Sequence, residues 1–275
     1  MSNAAALPGS PSDAPAAPRP GDTYVQSFAR GLAVIRSFSA HAPSQSLSEV
    51  AARTGLTRAG ARRILLTLEG LGYVECQGRQ FRLTPKILDL GFAYLSSLPL
   101  WNLAEPVMEE LVAQVKESCS AAVLDGTELV YVLRVPTHKI MSINLGIGSR
   151  LPAYCTSMGR VLLAGLPPDE LERRLHASPL EARTPRTVVD VAALMRIVTQ
   201  TREQGWALVN QELEEGLVSL AAPILDRGGR TIAALNISGQ FNRTPPEHML
   251  THFLPRLRSA ADRISQLLGT KAAAL

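Results

Sequence analysis

Cysteine is scarce in this 275-residue sequence, and the three that occur, Cys76, Cys119 and Cys155, are far apart and form no Cys-x-x-Cys pair. This pattern excludes a disulfide-rich scaffold and does not support a zinc ribbon. The longest uncharged stretch, residues 90–104, has 15 residues, fewer than the roughly 20 apolar residues that a membrane-spanning helix needs. The chain start shows no charged segment followed by an apolar one, so no secretory signal is expected. These absences predict a cytoplasmic protein with reduced thiols.

The signatures of common enzymes are also missing. The sequence has no Gly-x-Ser-x-Gly, and Gly146-Ile147-Gly148 lacks the third glycine and the βαβ setting of a dinucleotide loop. His248 and His252 have the spacing of a metal-binding pair, but no His-Glu-x-x-His and no third ligand accompany them. Cys155 beside a helix start has the setting of a reactive thiolate, or of an ordinary thiol near a pocket. We therefore expect no enzyme, cofactor or metal, with redox or metal sensing as an alternative.

Length and charge distribution indicate two domains with different tasks. The chain exceeds the roughly 100–200 residues of a typical domain, and its 46% hydrophobic and 19% charged residues are ordinary for a globular protein. Residues 24–86 contain nine Lys or Arg against three Glu, a net charge of +6, while the flanking segments each sum to −1. A compact basic module beside a nearly neutral larger one suggests a polyanionic partner for the first, although a solvated basic face is the alternative.

The folded part of the chain is expected to begin near residue 24. Residues 1–22 are mostly Ala, Pro, Ser and Gly, and cannot bury enough surface to offset the entropy cost of ordering. Residues 1–23 are therefore predicted to form a disordered tail. From Tyr24 onward apolar residues recur at helical spacing, which predicts a first helix.

The next segment has the spacing of a helix-turn-helix. Ser46-Leu47-Ser48-Glu49 is a capping box that predicts a short second helix. Gly55 supplies a turn and Thr57 an N-cap, so a third helix is predicted to begin at Arg58. A short helix, a tight glycine turn and a second helix form the DNA-binding arrangement.

A β-hairpin with a basic tip is predicted after the third helix, which adds a wing to this motif. Residues 73–76 and 80–83 flank Gln77-Gly78-Arg79. On the third helix, arginine and small side chains lie away from the apolar stripe, a surface suited to a major groove. Gly60 is either a close-approach position or a tolerated defect costing about 1 kcal/mol of helix stability. The predicted DNA-binding residues are Thr57, Arg58, Ala59, Gly60, Arg62, Arg63 and Arg79.

The rest of the chain predicts an α+β fold with an antiparallel sheet flanked by helices. A connecting helix is expected over residues 86–98 and another over 100–117. The closing helix is expected to begin with a second capping box at residues 244–247. The predicted strands are residues 121–124, 129–135, 141–145, 207–211, 218–225 and 231–238.

Motifs at residues 24–32, 47–51, 57–66, 151–153 and 157–160 lie in both parts of the chain. They resemble, in the same order, those of the IclR family of bacterial transcriptional regulators. The resemblance covers about residues 24–270 and implies a winged helix-turn-helix at 24–85, a linker helix at 86–99 and a GAF-like effector-binding domain at 100–275. It also implies dimers or tetramers on palindromic operator DNA.

Residues 134–136, 140–142 and 151–154 look most like regulators of protocatechuate, 4-hydroxybenzoate and β-ketoadipate catabolism.

The resemblance implies that a small organic or aromatic acid binds at the start of the helix after Leu151-Pro152-Ala153, on the backbone of Ser157 and Met158. A helix N-terminus binds an anion through unpaired N–H groups and the dipole, although Thr156 or Ser157 is also a plausible simple cap. Asn236 and Ser238 share a strand face, which makes a recognition site if the face points inward and a solvated surface if it points outward. The further effector positions are Ser219 and Ser238, carried over from the family, with Asn236, Asn210 and Ile143.

The prediction is therefore a ligand-responsive DNA-binding regulator. The alternative is a DNA-binding protein whose second domain only dimerises.

Overall fold

The computed structural model describes residues 24–96, 100–137 and 145–271. The chain divides between Tyr94 and Leu95 into two units, each described by itself. Within the described residues, no helix is both long enough and apolar enough to cross a membrane.

The part of the first unit up to Leu83 consists of three helices and a small antiparallel sheet with the strand order β1-β3-β2. Its core includes Val34, Val50, Leu65, Val74 and Phe81, contributed by all three helices and two strands. The elements are α1 (Gln26–Ser37), β1 (Ser44–Ser46), α2 (Leu47–Thr54), α3 (Arg58–Gly70), β2 (Val74–Gln77) and β3 (Gln80–Leu83). This is a winged helix-turn-helix.

Local hydrogen bonds set the helix starts of this unit. Ser46 accepts from the backbone N–H of Glu49, and the Glu49 carboxylate accepts from the Ser46 N–H at 2.7 Å, so the predicted capping box is confirmed. Gly55 has φ +67°, a left-handed conformation that favours glycine, and turns the chain toward α3. The Thr57 hydroxyl accepts from the Gly60 N–H at 3.1 Å, as expected for an N-cap.

Strand β1 was not predicted, because three residues are too few to show an alternating pattern. It ends at Ser46, the N-cap of α2, and pairs Gln45 with Phe81 of β3. After the wing, the predicted connecting helix begins with a 3-10 turn (Pro85–Ile87) and continues as α4 (Leu88–Ser96), while residues 97–99 lie outside the described part.

The second unit is built on a six-stranded antiparallel sheet with the order β6-β5-β4-β9-β8-β7. Strand β6 was missed because it has only three residues, and the strand predicted at 141–145 lies outside the described residues except for Leu145. The strands are β4 (Ser118–Asp125), β5 (Glu128–Val135), β6 (Arg150–Pro152), β7 (Ala207–Asn210), β8 (Leu217–Leu225) and β9 (Thr231–Gln240). The helices are α5 (Leu100–Val115), α6 (Ser157–Ala164), α7 (Pro168–Ala177), α8 (Val191–Gln204), α9 (Pro246–His248) and α10 (Leu254–Lys271), with a π-helical turn (Met249–Phe253) before the last.

The two faces of this sheet differ in chemistry. One face carries large apolar residues such as Leu220, Leu235 and Ile237, which pack with α5 and α10. The other carries small and polar residues and is covered by α6. Cross-strand pairing places Ser118, Ser219 and Ser238 side by side on that second face. Polar groups thus accumulate beneath a single short helix.

The predicted α+β fold is confirmed, but the second capping box is wrong. The N-cap of α9 is Pro245, which has no capping side chain. The Thr244 hydroxyl instead donates to the carbonyl of Gln240 at 3.0 Å, because the chain turns back onto the end of β9 at this point.

Candidate functional site: a DNA-binding face and an effector cavity

Helix α3 presents an exposed cationic surface. The side chains of Arg58, Arg62 and Arg63 are exposed, and none of them forms a salt bridge with a described residue. Ala59 is exposed beside them, and Gly60 is half-buried, with the Thr57 hydroxyl 3.2 Å from the position of an added Cβ.

The positive charge of Arg58 lies at the N-terminus of α3, the end of the helix dipole that disfavours a cation. Its first turn contains Arg58 and no acidic residue, although the positive end of a helix dipole favours anions there. This arrangement costs about 0.3–1 kcal/mol per charge at low salt. An external anion such as a DNA phosphate relieves that cost.

The wing contains two arginines, Arg82 and Arg79, and only Arg82 forms a salt bridge with a described residue. Glu75 and Arg82 are cross-strand partners and form a salt bridge. Arg79 lies at the exposed tip after Gly78, whose φ is +66°, and has no salt-bridge partner among the described residues. Arg79 is therefore available to a phosphate, whereas most of the charge of Arg82 is compensated.

A small cavity in the second unit lies between α6 and the polar sheet face. Its volume is about 30 Å³. The structure brings together five of the predicted effector residues in its wall: Ser157, Met158, Ser219, Asn236 and Ser238. Further lining residues are Tyr131, Arg134, Leu145, Leu151, Thr156, Leu213 and Leu217.

The start of α6 faces this cavity without a cap. The hydroxyl of Thr156 donates to the carbonyl of Pro152 at 2.8 Å, so it does not serve the helix N-terminus. The backbone N–H groups of Ser157, Met158 and Gly159 have no acceptor among the described residues, and the Ser157 hydroxyl is buried without a partner. Buried unsatisfied donors are costly, and a carboxylate bound there would satisfy several at once.

Gly159 allows α6 to start in this position. An added Cβ at Gly159 would lie 2.2 Å from the carbonyl oxygen of Ala153 and 2.5 Å from the Thr156 hydroxyl oxygen. Only glycine therefore fits between the helix and the preceding turn.

The two polar residues of β9 point inward, which resolves the alternatives left by their spacing. The Asn236 amide oxygen accepts from the Ser120 N–H at 3.1 Å, and its amide nitrogen donates to the Ser238 hydroxyl oxygen at 2.9 Å. Asn236 is thus engaged within the sheet. Ser238 acts as an acceptor in this bond, so its own hydrogen remains to be donated.

Two functional candidates were missed in the sequence. Arg134 is a half-buried arginine in the cavity wall, with no salt-bridge partner among the described residues. Burial raises the pKa of Tyr131 to about 12, and the nearby charge of Arg134 opposes this rise only in part. Tyr131 therefore stays protonated at neutral pH. The signal was present, since Arg134 is the one charged residue of the apolar run 129–135.

One of the predicted effector residues does not line the cavity. Asn210 pairs with Val218, on the sheet face opposite Ser219, and its amide oxygen accepts from the Gln211 side chain at 3.3 Å. Strand register thus directs Asn210 away from the cavity. Ile143 lies outside the described residues.

The residues considered for redox or metal sensing show no support for those roles. Burial raises the pKa of the Cys155 thiol to about 11, so a thiolate is disfavoured at neutral pH. The rings of His248 and His252 stack with centroids 4.5 Å apart. Across the described ranges, no group of three or more His, Cys, Asp or Glu residues is placed to hold a metal ion.

A winged helix-turn-helix with unpaired arginines and a second unit with an anion-adapted cavity define a DNA-binding regulator that responds to a small molecule. Comparison with known families agrees with this class. The IclR helix-turn-helix domain matches residues 27–78, and the C-terminal domain of the bacterial transcriptional regulator IclR matches residues 92–266. The chain belongs to the IclR family of transcriptional regulators, which confirms the resemblance seen in its motifs.

Individual relatives are similar over nearly the whole chain. The Pca regulon regulatory protein of Pseudomonas putida is 43% identical over 248 residues, covering 90% of this chain and 85% of that protein. The p-hydroxybenzoate hydroxylase transcriptional activator of Acinetobacter baylyi is 34% identical over 252 residues, covering 90% and 93%. A crystal structure of an IclR homologue from Microbacterium hydrocarbonoxydans complexed with 4-hydroxybenzoate has a TM-score of 0.78 and 27% identity, covering 88% and 98%.

Proposed function

We propose that this regulator controls genes of aromatic-acid catabolism and that its cavity binds the carboxylate of a benzoate-like effector. The observation that carries the proposal is the convergence of three unsatisfied features on one cavity. These are the uncapped start of α6, the buried hydroxyl of Ser157 and the guanidinium of Arg134, which has no salt-bridge partner among the described residues. Together they suit a single carboxylate. The names of the relatives, which concern p-hydroxybenzoate and the Pca regulon, support an aromatic acid.

The rest of the cavity wall suits the remainder of such a ligand. Met158, Leu213 and Leu217 supply apolar surface for a ring. The hydroxyls of Ser219 and Ser238 supply hydrogen-bonding groups for a ring substituent. The wall thus combines apolar surface with convergent polar groups, as small-molecule sites do.

Effector binding requires the cavity walls to move apart. A volume of about 30 Å³ holds roughly two water molecules, which is less than an aromatic ring needs. The effector therefore favours a wider arrangement over the present one, and this unequal affinity is what a regulatory ligand requires. We propose that the change reaches the winged helix-turn-helix of residues 24–85 through the linker helix of residues 86–99, with the effector domain spanning 100–275.

The DNA partner is proposed to contact Thr57, Arg58, Ala59, Gly60 and the three further arginines Arg62, Arg63 and Arg79. Binding to chromosomal DNA places the protein in the bacterial cytoplasm. No catalytic step is assigned, since the relatives are named as regulators, and recovery of the effector unchanged after incubation would test this.

A homodimer on a palindromic operator is part of the proposal. Large apolar side chains are exposed on the first unit, among them Phe28 (68%), Leu88 (70%) and Phe92 (67%). A groove of about 690 Å³ lined by residues of α1 and α3, with Leu90, lies in the same unit. Exposed apolar surface of this kind marks protein contacts, and a second copy related by two-fold symmetry would bind a symmetric DNA site.

The decisive experiment measures effector affinity by calorimetry. We expect 4-hydroxybenzoate to bind the wild-type protein, and 4-hydroxybenzyl alcohol, which lacks the carboxylate, to bind far more weakly. Arg134→Met should weaken 4-hydroxybenzoate binding about 10-fold to 100-fold, because a charge-assisted hydrogen bond is lost.

The matched control is Arg263→Met, on the opposite side of the sheet, where Arg263 pairs with the exposed Glu110. This variant should bind normally. If the alcohol bound as tightly as the acid, or if Arg134→Met had no effect, the carboxylate site would be wrong. If no acid bound at all, the alternative of a second domain that only dimerises would be favoured.

A further inference from the structure

A buried ion pair connects two walls of the effector cavity. Arg160 Nη2 on α6 lies 2.6 Å from Glu212 Oε2, in the loop between β7 and β8. The two residues are only 3% and 8% exposed. Among the salt bridges between described residues, this is the one in which both side chains are buried. Neither residue lines the cavity itself.

Each partner is also held by the backbone around it. The Arg160 Nε donates to the carbonyl of Tyr154 at 3.0 Å, in the segment that leads into α6. The Glu212 oxygen that accepts from Arg160 also accepts from the backbone N–H of Val188 at 3.1 Å. The Glu212 carbonyl accepts from the Thr187 hydroxyl at 2.6 Å.

Both residues of the pair are close in the sequence to residues that line the cavity. Arg160 follows Ser157 by three residues, about one turn of helix, so the two residues lie on the same side of α6. Glu212 directly precedes Leu213, which lines the opposite wall. The Arg160–Glu212 distance therefore sets the separation between the start of α6 and this loop.

Stability alone does not explain a pair of this kind. Removing two charges from water costs about as much as their attraction returns, and apolar replacements of similar size are often neutral or stabilising. We propose that Arg160 and Glu212 are positioning residues that hold the start of α6 against the loop and thereby set the effector affinity. The identity of the probe ligand rests on the proposed function; the positioning role does not.

The test separates geometry from charge with two conservative variants. In Glu212→Gln the amide oxygen accepts both hydrogen bonds, because Arg160 and Val188 donate to the same oxygen. In Arg160→Lys the charge remains, but one ammonium replaces the fixed fork that reaches both Tyr154 and Glu212. We expect Arg160→Lys to weaken 4-hydroxybenzoate binding about 10-fold or more, and Glu212→Gln to change it less than about 3-fold. The reverse order, or equal affinities for both variants, would overturn the proposal.

A control variant addresses general damage to the helix. Arg202 on α8 donates to the carbonyls of Ala164 at 2.7 Å and Leu166 at 2.5 Å, at the other end of α6. Arg202→Met should lower the melting temperature but leave 4-hydroxybenzoate affinity within about 2-fold of wild type, because it acts far from the helix start. An equal loss of affinity in Arg202→Met would mean that any loosening of α6 suffices.

Amide hydrogen exchange tests the same proposal on the protein without a ligand. In Arg160→Lys we expect faster exchange in peptides covering residues 156–163 and 211–217, and unchanged exchange across 254–268. Unchanged exchange in both wall segments would overturn the positioning role even if 4-hydroxybenzoate bound to no variant. If the wild type failed to bind the probe but both segments loosened, the proposed effector would be wrong and the positioning role would stand.

Discussion

Helices α3 and α6 begin with the same sequence pattern, but the threonine of that pattern has a different role in each. Helix α3 starts Thr57-Arg58-Ala59-Gly60 and α6 starts Thr156-Ser157-Met158-Gly159, each with threonine as N-cap and glycine three residues later. In α3 the threonine caps the helix. In α6 the threonine hydroxyl turns back to Pro152, and the helix N-terminus stays open toward the cavity.

Exposure or burial of a helix N-terminus decides how that N-terminus can bind an anion. The α3 N-terminus lies at the surface, where its cap provides stability and its exposed arginines are proposed to attract DNA. Those charges are solvated, so each contact is weak and sensitive to salt. The α6 N-terminus is buried, where a few uncharged N–H donors and one arginine suffice because water does not screen them.

The largest expected effect is on stability, when the glycine at the start of α6 is replaced by alanine; the same substitution in α3 should have little effect. Gly159→Ala should destabilise the second unit by about 3 kcal/mol, because the added carbon would overlap backbone atoms of the preceding turn. Gly60→Ala should change stability by less than about 1 kcal/mol, since its nearest contact is a side-chain oxygen at 3.2 Å and alanine favours helix. Chemical denaturation of both variants measures this, and similar effects at the two glycines would contradict the comparison.

The next effect concerns the charges of α3. Arg62→Ala combined with Arg63→Ala should weaken binding to a duplex selected by the wild-type protein from a random pool by about 10-fold to 100-fold, and should lower the salt slope by about one per lost phosphate contact. Arg227→Ala, an exposed arginine of the second unit, is the control. Unchanged affinity and slope in the double variant would remove α3 from the DNA-binding surface.

The smallest effect concerns α2, whose N-terminus carries its own anion. The pKa of Glu49 is lowered by the hydrogen bond from the Ser46 backbone N–H, then by the Ser46 hydroxyl. A lowered pKa means that this stabilisation is present above the ordinary pKa of a glutamate and is lost as pH falls through the folded-state value. The stability difference between wild type and Glu49→Gln should therefore be larger at pH 7 than at pH 3. A pH-independent difference for Glu49→Gln would refute the carboxylate cap.

Features that depend on neighbours in the chain were predictable from the sequence. The caps at Ser46 and Thr57 act over three residues, so their spacing was sufficient to find them. The same reasoning failed at Thr244, where a carbonyl of the preceding strand end competes for the hydroxyl. Local pattern therefore identifies a possible cap, and the fold decides whether it is used.

The effector cavity was only partly predictable, because it depends on strand register. The spacing of Asn236 and Ser238 placed them on one face but did not say which face is covered. Register with Val218 turned Asn210 away, and register with Ser120 brought Arg134 to the polar side of the sheet. A shift of one residue in either strand would exchange these positions.

The sequence by itself determined the two-part organisation, the helix-turn-helix, the placement of positive charge and the family, because these follow from composition, short-range periodicity and contiguous motifs. Only the tertiary structure decided that Asn236 accepts from Ser120, that Arg134 joins the cavity and that Arg160 meets Glu212. Those arrangements join residues up to 116 positions apart, as between Ser120 and Asn236. Contacts between residues so far apart in the chain depend on how the sheet and α6 pack together. The local sequence around each partner does not indicate them.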